Sequence, residues 1–145
     1  MYKILFVFLV IVMQSLSAQR IMEVPGYFVT RDNDTIQAKF IGRANLFNSK
    51  IITEHTFLDK IYYKSEDDVE NMVRETDIKY LEYTDLFGRK HRYITALGEP
   101  LLEDKKKIHA ILVEGKLSFY QALSYNSYDG GITTTDYMVR KDQGK

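Results

Sequence analysis

Carboxylates are plentiful among the side chains here that could do chemistry. Asp32 and Asp34 flank Asn33, and Glu66, Asp67, Asp68 and Glu70 crowd a second segment. A hydrolase would use two such groups facing each other across a cleft, one holding a proton and one ionised. Their separation in space is not encoded in their spacing, so a spatially assembled carboxylate pair stays an alternative. Asp32-Asn33-Asp34 has the opening of a calcium loop but lacks the Gly at the sixth position and the Glu at the twelfth. A turn explains it better, because short Asp and Asn side chains bond the local backbone and tolerate positive φ. Asn33-Asp34-Thr35 also fits an N-glycan sequon, which the same turn accounts for.

His55, His91 and His109 lie far apart, and none belongs to a His-Glu-x-x-His pattern. With no cysteine in the chain, disulfides, thiolate chemistry and Cys-based zinc sites are excluded. There is no Gly-x-Ser-x-Gly elbow and no glycine-rich phosphate loop. No catalytic, metal or cofactor-binding residue is therefore assigned, and no cofactor is expected. Arg89-Lys90-His91-Arg92 sits on an expected strand, so its side chains should split between two faces. Lys105-Lys106-Lys107 follows Glu103-Asp104 and is nearly balanced locally. Tyr120, Tyr125, Tyr128 and Tyr137 gather late in the chain. Rings with an apolar body and a polar tip suit a sugar or a partner's apolar surface, so these four are the expected partner surface. Half-buried strand positions are the plainer reading of the same residues.

The elements that would carry these groups are strands. In Gly26–Ile41, Ile36, Ala38 and Phe40 alternate with Thr35, Gln37 and Lys39 after the Arg31–Asp34 turn, the period of a half-buried hairpin. Gln19–Pro25 reads as a lead-in, broken from the first strand by Pro25-Gly26. Strand segments are expected at Lys50–Thr53 with Thr56–Leu58, at Ile61–Lys64, and at Val69–Arg74 after the acidic Ser65–Asp68 turn. Glu75-Thr76-Asp77 reads as a turn or a single helical turn. A second hairpin runs Lys79–Thr84, Asp85–Gly88, Arg89–Leu97, with Gly88 where positive φ is wanted. Leu101–Val113 is either an amphipathic helix or, more in keeping with its β-branched content, a strand from Ile108 that turns at Glu114-Gly115 and returns as Lys116–Tyr125. Asn126–Gly131 is a loop, Ile132–Arg140 a last strand, and 141–145 a flexible tail.

The chain's 145 residues suffice for one domain. Lys+Arg and Asp+Glu are equal at 20 each, which argues against a dedicated nucleic-acid binder, since that needs a basic surplus. Met1-Tyr2-Lys3 precedes the apolar run Ile4–Met13, and Gln14–Ala18 follows with small residues. This is the pattern of an export signal, with the cut between Ala18 and Gln19. The run is about half the roughly 20 residues a spanning helix needs, so no span is expected in the mature chain.

Two blocks resemble a family. Pro25-Gly26-Tyr27 reaching Asp34-Thr35-Ile36, and Ile111-Leu112-Val113-Glu114-Gly115-Lys116-Leu117-Ser118-Phe119-Tyr120, are similar to stretches of small exported proteins of uncharacterised function common in Bacteroidetes. Thr76-Asp77-Ile78 is a looser match. The resemblance implies export to the periplasm or cell surface and carries no chemistry, because the shared residues are structural.

The expectation is an all-β protein: an antiparallel hairpin meander of about eight to ten strands forming an open barrel or two-layer sheet, with room for one short helix. Its domain is 26–140, behind a signal at 1–18 and a lead-in at 19–25. The function expected is a non-enzymatic binding or interaction module of the cell envelope, with an envelope protein, a peptide or a glycan as partner. The alternatives are the carboxylate-pair hydrolase and a lipocalin-like carrier of a small ligand.

Overall fold

The computed structural model describes residues 20–45, 48–100, 102, 108–115, 117–125 and 132–140. They form strands β1 (Ile21–Thr30), β2 (Thr35–Arg43), β3 (Lys60–Lys64), β4 (Glu70–Arg74), β5 (Ile78–Thr84), β6 (Lys90–Ile94), β7 (His109–Val113), β8 (Leu117–Tyr125) and β9 (Ile132–Arg140). The only other regular pieces among them are 3-10 turns at Glu54–Phe57 and Glu75–Asp77. All nine strands join one antiparallel sheet in the order β4-β3-β2-β1-β5-β6-β7-β8-β9, an open sheet with β4 and β9 at its edges.

That order forces curvature. β4 and β5 stand four inter-strand gaps apart, which is about 19 Å across a flat sheet. Only Glu75–Asp77 joins them, and Arg74 to Ile78 spans at most about 14 Å when fully extended. The first five strands must therefore coil around a common interior. Backbone bonds pin both ends of the connection, Glu75 N to Asp59 O at 3.1 Å and Arg31 N to Asp77 O at 3.0 Å.

The register explains what fills the interior. Val24 pairs with Phe40, Phe28 with both Ile36 and Leu81, Gly26 with both Ala38 and Tyr83, and Leu81 with Tyr93. Strand alternation then puts Val24, Phe28, Phe40, Leu81, Tyr83 and Tyr93 on one face, all buried. The β2–β3 connection plugs this face. Phe57 stacks on Tyr83 (ring centroids 4.9 Å apart), lies 5.5 Å from Tyr93, and meets Phe40 edge-on at 5.7 Å. Leu86 N bonds Lys50 O at 3.4 Å, tying the plug to the β5–β6 turn.

A second cluster lies on the opposite face in the C-terminal half. Ile111 pairs with Tyr120, and Leu102 from the β6–β7 connection packs with them, beside Tyr80, Ile94 and Val139. Tyr120 OH donates to Glu99 Oε2 at 3.4 Å and Thr95 Oγ1 to Ile78 O at 2.6 Å. The sheet thus buries one face under the plug and the other under the β6–β7 connection.

Several expectations need correction. The lead-in at 19–25 is strand from Ile21 onward: β1 runs through Pro25-Gly26. The proline is tolerated because the β1–β5 ladder begins at Gly26, so no bond to β5 is lost at Pro25. Lys50–Thr53 and Thr56–Leu58 do not form a strand. Ile52 makes a single bridge to Ala44, and Glu54–Phe57 is a 3-10 turn whose apolar residues face inward as the plug. His109–Val113 is strand, and most of 101–107 lies outside the described residues. So do the 1–18 signal, the Asn126–Gly131 loop and the 141–145 tail.

Candidate functional site

The interior is occupied by rings, so a site must be sought on the outer face. There a cleft of about 440 Å3 crosses β2, β1 and β5, bounded by Lys39, Lys64, Glu66, Thr84 and Lys90 with Tyr27 and Gln37 alongside. It lies where β5 leaves β1: their pairing ends at Gly26–Tyr83, while β1 continues against β2 alone. Gly26 and Ala38, paired with each other, face the inner side, so only their backbone lies under the cleft.

Cross-strand register assembles the polar lining. Lys39 stands opposite Lys64, a like-charge pair that would be unfavourable alone. Acids compensate it: Lys64 Nζ is 2.7 Å from Glu23 Oε1 and 3.7 Å from Asp68 Oδ1, and Asp68 also reaches Lys39 at 3.9 Å. The hydrogen bond to Glu23 raises the Lys64 pKa, outweighing the opposing effect of burial. Across the cleft Tyr27 stands opposite Glu82, and Glu82 opposite Arg92. Glu82 binds Lys90 at 3.0 Å and accepts from Tyr80 OH at 2.9 Å. Burial alone would raise the Glu82 pKa, but the bonds from Lys90 and Tyr80 bring it below the usual carboxylate value. The Tyr27 ring lies 5.9 Å from that of Tyr80, tilted by 33°.

On the inner face, the β5–β6 turn holds a denser polar knot. The buried Asp85 carboxylate accepts from the Phe87 and Arg89 amides and from Arg89 Nε, each at 2.9 Å, and lies 3.0 Å from His91 Nε2. His91 stacks on Tyr83 at 4.7 Å. No hydroxyl or thiol nucleophile bonds His91 among the described residues, and the knot is a turn lock in form.

Burial also sets the tyrosines. Tyr83 is pushed up to about 12, mainly by desolvation, and Tyr80 and Tyr93 are raised further for the same reason, with Glu82 adding at Tyr80 and the neighbouring Tyr83 at Tyr93. Each is neutral in the fold above the pH at which an unfolded tyrosine, with a pKa near 10, would ionise. Their contribution to stability is whole below about pH 10 and falls as pH rises from there. In an alkaline titration followed by phenolate absorbance, these three should ionise together with the loss of β-sheet circular dichroism. Smooth ionisation of every tyrosine near pH 10 with the fold intact would contradict this packing.

Of the residues expected to form a partner surface, Tyr120 and Tyr137 are cross-strand neighbours. Tyr120 is buried at 1% exposure because the β6–β7 connection covers its face, so it belongs to the core and not to a surface. Tyr125 and Tyr137 fall on β8 and β9, paired with Ile132 and Tyr120, and Tyr128 lies outside the described residues, as do Ala18 and Gln19. The Arg89–Arg92 run does split between faces: Arg89 and His91 turn to Asp85, while Lys90 and Arg92 go to Glu82 and Glu114. The acidic Ser65–Asp68 segment is the β3–β4 turn, with Asp68 at φ 59°. Among the described residues no group of three or more His, Cys, Asp or Glu is placed to hold a metal ion. No helix among them is long and apolar enough to cross a membrane.

The fold and cleft define a class, an open nine-stranded antiparallel sheet with a polar cleft on its outer face. Compared with protein-family models, curated proteins and solved structures, the chain matches none of them.

Proposed function

We propose that this protein is an exported, non-enzymatic binding module of the cell envelope, and that the β2–β1–β5 cleft holds its ligand. One observation carries the reading: Lys64, Glu82 and Lys90 in the cleft are already held in close charge pairs. Glu82 is held ionised by Lys90 and Tyr80, and Lys64 by Glu23. A general acid needs a carboxyl held protonated, with its pKa shifted upward. The carboxylates that depart from ordinary behaviour, Glu82 and Asp85, both depart downward. Such a lining suits recognition better than proton transfer. The container alternative has less support, since Phe28, Phe40, Phe57, Tyr83 and Tyr93 occupy the face a lipocalin-like cavity would need.

Export rests on the N-terminal pattern of charge, apolar run and small residues. The test expresses the full chain in a Gram-negative host, sequences the N-terminus by mass spectrometry, and assays the mature protein on chromogenic glycosides and peptides. The expected result is a protein beginning at Gln19 in the envelope fraction, with no turnover and with ligand retention that a Tyr27→Ala change weakens. Intact Met1 on the exported protein would overturn export. Turnover that disappears in Glu82→Gln would overturn the non-enzymatic reading.

A further inference from the structure

We infer that the cleft takes a neutral oligosaccharide, with one sugar ring lying on Tyr27 and its hydroxyls read by Gln37, Glu82 and Lys39; the inference rests on the binding-module reading above. Three features of the site converge on this ligand chemistry.

The first is that Gly26–Val29, the part of β1 beside β5 in the cleft, has no free ladder. Peptides in extended form gain affinity mainly by adding a strand to an unpaired edge. From Gly26 to Thr30, β1 is paired with β5, and it is paired with β2 across the cleft as well. At Pro25, where β5 leaves, the residue has no N–H to donate. Recognition in the cleft must therefore come from side chains.

The second is charge. Lys64 and Lys90 are each matched at 2.7 and 3.0 Å by Glu23 and Glu82, and Asp68 stands near both Lys39 and Lys64. A charged ligand would have to break pairs to make new ones. A hydroxyl group both donates and accepts, so it can join such pairs without removing either partner. Gln37 and Thr84 offer the same double capacity beside them.

The third is the Tyr27 ring. It is half-buried, backed by Tyr80 at 5.9 Å, and held on a strand paired on both sides. A rigid aromatic face loses little conformational freedom on binding, and the C–H face of a sugar ring is its natural complement. The cleft volume, about 440 Å3, falls within the roughly 300–1,000 Å3 of ordinary ligand sites.

The test titrates the mature chain by calorimetry with cellohexaose, maltohexaose and chitohexaose, with trigalacturonate and hexa-alanine as charged and peptide probes. At least one neutral hexasaccharide should bind. Tyr27→Ala should weaken it about tenfold, as loss of an aromatic stack implies, and Gln37→Ala about fivefold, as loss of a hydrogen bond implies. Tyr27→Phe, which keeps the ring, should stay within about twofold of the parent. Circular dichroism confirms that each variant is folded, and Tyr27→Phe keeps the test valid if Tyr27→Ala is not. Binding that Tyr27→Ala leaves unchanged would overturn the site. Binding lost in Tyr27→Ala would, for trigalacturonate alone, overturn the neutrality of the ligand and, for hexa-alanine alone, overturn the saccharide, and either would leave the binding module standing. Binding of no probe would overturn the saccharide, and retention of an envelope protein by the same cleft would then decide the module separately.

Discussion

Gly26→Ala is expected to destabilise the protein by about 3 kcal/mol or more, at the upper end of what overpacking usually costs. The residue sits where β1 is paired with Ala38 on β2 and Tyr83 on β5. A methyl group added there would run into the Glu82 carbonyl oxygen and stand 2.8 Å from the Tyr83 Cα and from the Phe40 ring. The first two are backbone atoms of a paired strand, so they can yield only if the β1–β5 ladder opens. That ladder also joins the β1–β4 strands to all the strands that follow. Gly115→Ala is the matched control: its added methyl would find nothing closer than the Leu117 carbonyl oxygen at 3.8 Å, and a surface change without contacts stays within about 0.5 kcal/mol. Urea unfolding of the two variants beside the parent gives both numbers. Equal midpoints for parent and Gly26→Ala would mean that β1 and β5 do not approach as closely as this register requires.

The same glycine shows what the sequence could and could not reveal. Pro25-Gly26 has the composition of a break, and local rules read it as one. It is instead the point where a long strand passes from one partner to two, which depends on a neighbour more than fifty residues away. Wherever structure is set by adjacent side chains, the reading holds. Asn33 at φ 72° and Gly88 at φ 80° stand in the two expected turns, and β9 has the expected limits Ile132–Arg140. Where structure depends on what lies over a strand, it fails. Phe57 alternates like a strand residue but is a plug, and Tyr120 looks like a surface ring but is roofed by the β6–β7 connection. The cleft was illegible for the same reason. Tyr27, Lys39, Lys64, Glu82 and Lys90 have no common spacing in the sequence, and only the β5-beside-β1 order brings them together. The Asp85 lock was within reach, since Asp85, Gly88, Arg89 and His91 span a single turn.

Asp85→Ala should cost about 3 kcal/mol at neutral pH, the scale for removing a buried, charge-assisted hydrogen-bond acceptor. Its side chain has no exposed surface, and its loss strands two turn amides, Phe87 N and Arg89 N, together with the His91 ring nitrogen. Asp85→Asn separates charge from shape. One oxygen can still accept from the two amides, while the ion pair with Arg89, only part of which is shielded from solvent, is lost. A smaller loss, about 1–2 kcal/mol, is expected. The two variants should also differ from the parent in acid. Burial by itself would raise the Asp85 pKa, but the bonds from His91, Arg89 and Phe87 overcome it and hold the group well below its ordinary 3.8. A depressed folded pKa means that the unfolded chain takes up the proton first as the pH falls. The stabilisation is then whole above the ordinary carboxylate value and drains away as the pH drops below about 4 toward the folded value. The gap in stability between parent and Asp85→Asn should accordingly be widest near pH 6 and shrink between pH 4 and pH 2, read from urea midpoints across that range. A gap constant down to pH 2 would mean that the carboxylate gains nothing from the turn, and the β5–β6 hairpin would have to be held by its strand pairing alone.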